Sequence, residues 1–230
     1  MPGAQTGVDV QNALGEVEVR VVPGLTAPSV EVIPMRPTTP FGPVDRESTF
    51  RPWAAAEMID SGNGAVLRVL CSPPDGTDAR PVYVKVSVPS CEGLRVRNTG
   101  GPVTISGANG TIDVENSAGP EGAWPEGSAI RFLTERPVRD GVSLWGMDGE
   151  VSLRLPVTSE GKFEVRAPER VIGIATTPNA QASNESRTGR DGVWRGVMNS
   201  GQNAITLRSG VRVRITTERE PVPYPPPTAK

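Results

Sequence analysis

The sequence predicts an all-β fold: a repeat-built β-helix or β-solenoid with antiparallel hairpin elements and little or no helix. Three observations carry this expectation. First, nearly the same nine-residue phrase is written three times, as LRVRNTGG from Leu94, VTISGANG from Val103 and IDVENSAG from Ile112. Each copy holds an apolar dyad (Leu94/Val96, Val103/Ile105, Ile112/Val114) and closes on a glycine (Gly101, Gly110, Gly119). Alternation bounded by Asn, Ser and Gly is a short half-buried strand followed by a tight turn. A strand recurring at fixed spacing buries its apolar face only by stacking on its neighbours. Second, 36% of the 230 residues are hydrophobic but only 4% aromatic, with 26 Gly and 24 Pro, which suits a thin, turn-dense core of Val, Ile and Leu. Third, VKVSVPSCEGLRVR from Val84 is echoed by VSLRLPVTSEGKFEVR from Val151, with Pro89 opposite Pro156 and Glu92-Gly93 opposite Glu160-Gly161. Proline ends a strand because it cannot donate to the ladder, so the echo reads as two equivalent turns of one scaffold.

Taken in order, alternation begins at Val8/Val10, continues at Val17/Val19/Val21 and returns at Val30/Val32. Residues 34–60 carry Pro34, Pro37, Pro40, Pro43 and Pro52 and read as a surface excursion. Within it, Trp53 to Ile59 surrounds three alanines and is the one helix candidate. Strands resume at Ala65–Cys71 and Val82–Val88, enter the repeated phrases, and cross a Gly/Pro/Glu loop holding Trp124. Further runs are Ile130/Phe132, Val142/Leu144, Val151/Leu153/Leu155, Phe163/Val165 and Ile172/Ile174. Residues 178–192 read as a long polar loop, and Ile205/Leu207 with Val211/Val213/Ile215 as a closing hairpin across Ser209-Gly210. No composition break marks a second domain, so residues 1–220 are expected to form a single domain, followed by a proline-rich tail over 221–230.

The order of alternating strand, proline, glycine, strand and serial Asn/Ser-Gly turns resembles the bacterial putative-adhesin domain family. The match rests on Val84 to Gly119 and Val151 to Thr176, with a fainter echo from Val8, and it lies in pattern rather than in a catalytic motif. The resemblance implies a β-solenoid with no assigned activity in an exported, cell-envelope or secreted protein. No signal peptide is visible in MPGAQTGVDV, which lacks a basic n-region and an apolar h-region. The family supplies no functional residue.

Composition excludes much chemistry. Histidine is absent, which removes Ser-His-Asp and Cys-His catalysis and His-containing zinc sites. A net charge of −2 leaves no basic footprint for nucleic acid, and no run is long enough to span a membrane. No Gly-rich phosphate loop with its lysine occurs, the turns NTGG, GANG and NSAG lack the carboxylates that calcium requires, and Asp75 to Asp78 reads as a hairpin loop. No cofactor or metal is therefore expected. The Asn184 sequon is too common a pattern to carry weight.

Asp113 and Glu115 share one strand face at a spacing that could serve a glycosidase. The stronger reading stacks the first and third phrases, so that Arg95 faces Asp113 and Arg97 faces Glu115 in an outward charge ladder. Trp124 and Trp194, among four tryptophans that include Trp53 and Trp145, could offer aromatic platforms to sugar rings; capping the end of a small core is the alternative. Arg208, Arg212 and Arg214 alternate along the closing hairpin, where they either contact an anionic partner or guard the edge against aggregation. Cys71 and Cys91 discriminate between folds. A hairpin of Val66–Leu70 with Val82–Val88 would hold them about 30 Å apart, whereas a coil with a turn of about twenty residues would stack them within reach of a disulfide. Two separate buried thiols are the alternative.

The leading functional expectation is a non-enzymatic, adhesin-like scaffold that presents a strand-lined face to an unknown protein or polysaccharide surface. The alternatives are a carbohydrate-binding or polysaccharide-active β-helix protein and a self-assembling structural β-helix.

Overall fold

The computed structural model describes residues 6–35, 53–62, 64–72, 80–121, 123–124, 126–168, 172–175, 192–199 and 201–218. The expected proline-rich stretch over 36–52, most of the 178–192 loop, the 221–230 tail, Asn184 and the Asp75–Asp78 turn lie outside them. The described residues form seventeen strands and no helix. The first six are β1 (Thr6–Asn12), β2 (Gly15–Val21), β3 (Ser29–Pro34), β4 (Ala55–Asp60), β5 (Ala65–Cys71) and β6 (Val82–Val88). The repeated phrases are β7 (Gly93–Thr99), β8 (Val103–Ser106) and β9 (Thr111–Ser117). Next come β10 (Ile130–Leu133), β11 (Val142–Gly146), β12 (Val151–Pro156) and β13 (Gly161–Arg166). The last four are β14 (Ile172–Ala175), β15 (Val193–Met198), β16 (Ala204–Ser209) and β17 (Val213–Glu218).

These strands build two mixed sheets. The first holds nine strands in the order β15-β13-β16-β11-β9-β7-β1-β5-β4, and the second holds eight in the order β14-β17-β12-β10-β8-β2-β6-β3. From β6 to β13 the chain changes sheet at every step. One nine-residue phrase is therefore only half of a circuit. Within the first sheet Leu94 pairs with Ile112, eighteen residues on, and the in-sheet spacings that follow are longer. All pairings are parallel except β3 with β6, β4 with β5 and β15 with β13, which place an antiparallel strand at a sheet edge.

Two expected hairpins are thereby corrected. β5 and β6 lie in different sheets, as do β16 and β17. Antiparallel strands flank the sheets; they do not close the chain ends. Spatial order also departs from chain order: β1 and β2 sit between β5/β6 and β7/β8, and β16 and β17 between β11/β12 and β13/β14.

The dyads of successive strands align in register. One column, Val69–Val10–Val96–Val114–Leu144–Leu207–Val165, crosses the first sheet. Its members are no more than 1% exposed. Its counterpart across the second sheet is Val86–Val19–Ile105–Phe132–Leu153–Ile215, at most 2% exposed. Burying such a side chain stabilises the fold by about 1.5–3 kcal/mol, so the two columns form the centre of the core.

A polar column runs beside the apolar ones at the corner where the chain leaves the first sheet. Asn12, Asn98 and Asn116 end β1, β7 and β9 in register and are 1–4% exposed. The Asn12 amide donates to Asn98 Oδ1 at 2.8 Å, and the Asn98 amide to Asn116 Oδ1 at 2.9 Å. The Asn98 amide also reaches the carbonyls of Gly15 and Gly101 at 3.0 Å, and that of Asn116 reaches Gly101 and Ala129 at 3.0 and 3.1 Å. These carbonyls belong to the chain entering the second sheet, so the ladder ties one sheet to the other. The opposite corners stack as tightly: Gly110 has φ +72°, and a Cβ there would lie 2.0 Å from the Glu92 carbonyl.

Two elements depart from expectation. Trp53 to Ile59 is no helix; β4 occupies residues 55–60. Alanine favours a helix, but pairing with the open edge of β5 satisfies the backbone of a segment too short to hold a helix alone. β15 is a strand that the alternation does not announce, because Gly196 interrupts the pattern of VWRGVM. The Trp194 ring lies over that glycine, where a Cβ would stand 2.5 Å from the indole.

Replacing Asn98 by Ala leaves the Gly15 carbonyl and the Asn12 amide without their buried partner. The expected loss in urea-induced unfolding is about 2–4 kcal/mol, with the all-β circular dichroism spectrum retained. A loss below about 0.5 kcal/mol would show that the asparagine column does not hold the two sheets together.

Candidate functional site

The residues singled out in the sequence do not converge. Arg208 projects from β16 on the first sheet, its guanidinium 5.3 Å from the centre of the Trp145 ring. Arg212 and Arg214 belong to the second sheet, with Glu150 3.7 and 3.6 Å away. The expectation of one shared outer face is corrected, because the two strands are in different sheets. Trp194 is corrected as well: it is 6% exposed, with its ring centroid 6.1 Å from that of Phe163. It closes the β15 end of the core and offers no platform. Trp124 is half-buried on a shelf of glycines, where a Cβ on Gly100 or Gly101 would lie 2.4 or 2.6 Å from the indole.

The charge ladder is present and longer than the phrases suggested. Glu57, Arg68, Asp9, Arg95 and Asp113 lie in register across β4, β5, β1, β7 and β9. Arg97 bonds Asp113 and stands 3.4 Å from Glu115. Both carboxylates of the candidate glycosidase pair are thus engaged by one guanidinium on an exposed face. Such surface pairs contribute about 0–1 kcal/mol each.

Cys71 and Cys91 are buried free thiols. Cys71 ends β5 level with Asn12 and Asn98, whereas Cys91 precedes β7 at the opposite corner. The separation along the strand direction is about 20 Å at 3.3 Å per residue, well beyond the 7 Å that a disulfide tolerates. Burial pushes both thiols up to about 11.

The feature that sequence reading missed is a groove of about 710 Å³ on the outer face of the second sheet. Its floor crosses β3, β6, β2, β8 and β10, and it is lined by Ile33, Pro34 and Met35 on one side and Pro102, Thr104 and Arg131 on the other. At 4.8 Å between strands the floor spans about 19 Å. Glu16, Glu18 and Arg20 enter from β2, Tyr83 and Lys85 from β6, and Glu31 from β3. The outward positions of VEVR, VYVK and VEVI carried this signal, but only the spatial order β3-β6-β2-β8-β10 assembles them.

The groove's charges are mostly answered internally. Glu18 bonds the Tyr83 hydroxyl and pairs with Arg20. Lys85 lies 3.8 Å from Glu31, and Arg131 is 2.7 Å from Glu126 at the rim. Among the described residues Glu16 makes no ion pair. Burial, followed by the charge of Glu126, pushes its carboxyl above the ordinary range. Burial likewise raises the Tyr83 phenol, with Arg20 opposing and Glu16 and Glu31 adding to the rise. Among the described residues no group of three or more His, Cys, Asp or Glu is placed to hold a metal, and no helix is long and apolar enough to cross a membrane.

No family model matches this chain, and no curated protein matches it. Among solved structures it is similar to the crystal structure of a "putative cell adhesion protein" from Clostridium sporogenes. The TM-score is 0.51 at 11% identity, with 94% of each chain covered. At that identity the likeness is one of fold.

The thiols yield a direct test. In the folded protein at pH 8 both cysteines should resist alkylation by iodoacetamide, since the thiolate is the nucleophile; unfolding in urea should make both react. Rapid labelling of the native protein would show that the corners are open. Separately, Trp194→Ala should cost about 3–5 kcal/mol by leaving a cavity beside Phe163, read by thermal unfolding.

Proposed function

We propose that this chain is a β-solenoid acting as a non-enzymatic, adhesin-like scaffold of the cell envelope or the extracellular space. The observation that carries the reading is the groove on the second sheet: a concave, side-chain-lined surface about 19 Å long on a frame held from within by stacked dyads. Support also comes from the fold-level likeness to the Clostridium sporogenes protein. Contact along such a face is distributed over many weak interactions, and its strength grows with the number engaged at once. The absence of histidine, the engagement of Asp113 and Glu115 by Arg97 and the high thiol pKa values favour binding over catalysis.

A polysaccharide-active reading is favoured by one observation. Glu16 and Glu18 lie two apart on β2, the first held toward its protonated form by burial and the second paired with Arg20. Two carboxyls in unlike surroundings are the usual starting point for acid and base roles.

One experiment separates the two. The purified protein is incubated with isolated bacterial cell-wall polysaccharide, and both retention and new reducing ends are measured. Retention without new reducing ends is the expected result. Thr104→Arg, which plugs the groove from a half-exposed position, should weaken retention about tenfold. Release of reducing ends that stops in Glu16→Gln would replace the scaffold with an enzyme. Unchanged retention by a folded Thr104→Arg variant would move the contact away from the groove.

A further inference from the structure

We propose that the groove on the second sheet takes an amine-bearing sugar, whose ammonium group pairs with Glu16. The inference rests on the reading of the groove as the contact surface and adds the chemistry of its ligand.

The first argument is charge. Every other carboxylate of the groove has a cation beside it: Glu18 has Arg20, Glu31 has Lys85, and Glu126 at the rim has Arg131. Glu16 has none among the described residues. It stands half-buried between Tyr83 and Pro102, with a further carboxylate, Glu126, acting on it. A bound cation relieves both the lost hydration and the repulsion from Glu126, and among the described residues no Lys or Arg pairs with Glu16.

The second argument is the floor. β6, β2, β8 and β10 are each hydrogen-bonded to a neighbour on both sides. Over these four strands the floor therefore has no main-chain donors or acceptors for strand addition, the usual route by which an extended peptide gains affinity on a sheet; the sheet edge lies at β3. Recognition across these strands must come from side chains. Those present are the guanidiniums of Arg20 and Arg131, the Thr104 hydroxyl and the ring of Tyr83. Planar guanidiniums and carboxylates reach adjacent hydroxyls in pairs, and Tyr83 with Pro102 offers apolar surface to the C–H face of a sugar ring. A ligand rich in hydroxyls and carrying one ammonium per ring matches this set better than a lysine-rich peptide.

The third argument is position. Trp124 lies on the Gly101 shelf beside Glu16: a Cβ on Gly101 would stand 2.6 Å from its indole nitrogen and 2.7 Å from Glu16 Cγ. An aromatic edge and an unpaired carboxylate therefore adjoin at one end of the groove. This returns Trp124, but not Trp194, to the candidate surface.

The test titrates the full chain by calorimetry with three probes: a tetramer of glucosamine, its fully N-acetylated counterpart, and tetralysine. At pH 6 the glucosamine tetramer should bind, and the acetylated tetramer, which lacks the charge, should bind about tenfold more weakly. Glu16→Gln should remove that preference while leaving weak binding of both sugars, and binding should fall as the pH drops through the raised Glu16 carboxyl. Asp113→Asn, outside the groove, should change nothing. Equal or tighter binding of tetralysine overturns the sugar assignment, and equal binding of the two tetramers overturns the role of the ammonium group. Glucosamine binding that survives Glu16→Gln but not Thr104→Arg overturns the role of Glu16 and leaves the groove as the contact surface. Failure of all three probes, with cell-wall retention intact, overturns this inference alone.

Discussion

The structure depends on in-register stacking of inward-facing apolar dyads on parallel neighbours. Side chains alternate with a period of two, so a slip of one residue would turn a whole strand's dyad toward water. Every core strand is held against that slip by the dyads beside it, and β1, β7 and β9 are held a second time by the buried asparagines. A polar side chain at 1–4% exposure is tolerated only when its hydrogen bonds are met. The side-chain amides of Asn12, Asn98 and Asn116 reach their acceptors only when β1, β7 and β9 are level and the second sheet's entering carbonyls are in place, while Asn12 Oδ1 is buried without a partner among the described residues. The asparagine column thus sets register, while the dyads supply most of the burial.

The same stacking explains the surface. Once registers are aligned, outward residues also form columns, and those on the first sheet alternate in sign from Glu57 to Asp113. Screening leaves these pairs with little energy, yet like charges in that column would penalise the register. At the β15 edge, Trp194 and Phe163 close the core. At the other edge β4 carries Glu57 and Asp60, charges that discourage pairing with another chain. Because β1/β2 and β16/β17 are inserted between other strands, the early and late parts of the chain are held in the interior of the sheets.

Function follows from what this frame leaves outside. The groove draws side chains from β2, β3, β6, β8 and β10, which span more than a hundred residues of sequence, and sets them on one face of the second sheet. Among the described residues its carboxylates are answered one by one, except for Glu16, which stands next to Tyr83 and Trp124.

Most strands were legible because alternation is local. The inward dyads of β1, β2 and β5 to β13 follow from a period of two, and the facing of Arg95 with Asp113 follows from the eighteen residues between two copies of the phrase. Where alternation was interrupted, at Gly196, or overlain by helix-favouring alanines, in β4, the element was missed, because a neighbouring edge and not local preference decided the outcome. The groove and the burial of Trp194 were out of reach for another reason. Valine and isoleucine dyads are nearly interchangeable, so many strand orders satisfy the same pattern. The sequence by itself determined which residues face inward. Only the tertiary structure decided which strands are neighbours, through corner geometry and the asparagine ladder, and with that choice which outward side chains meet.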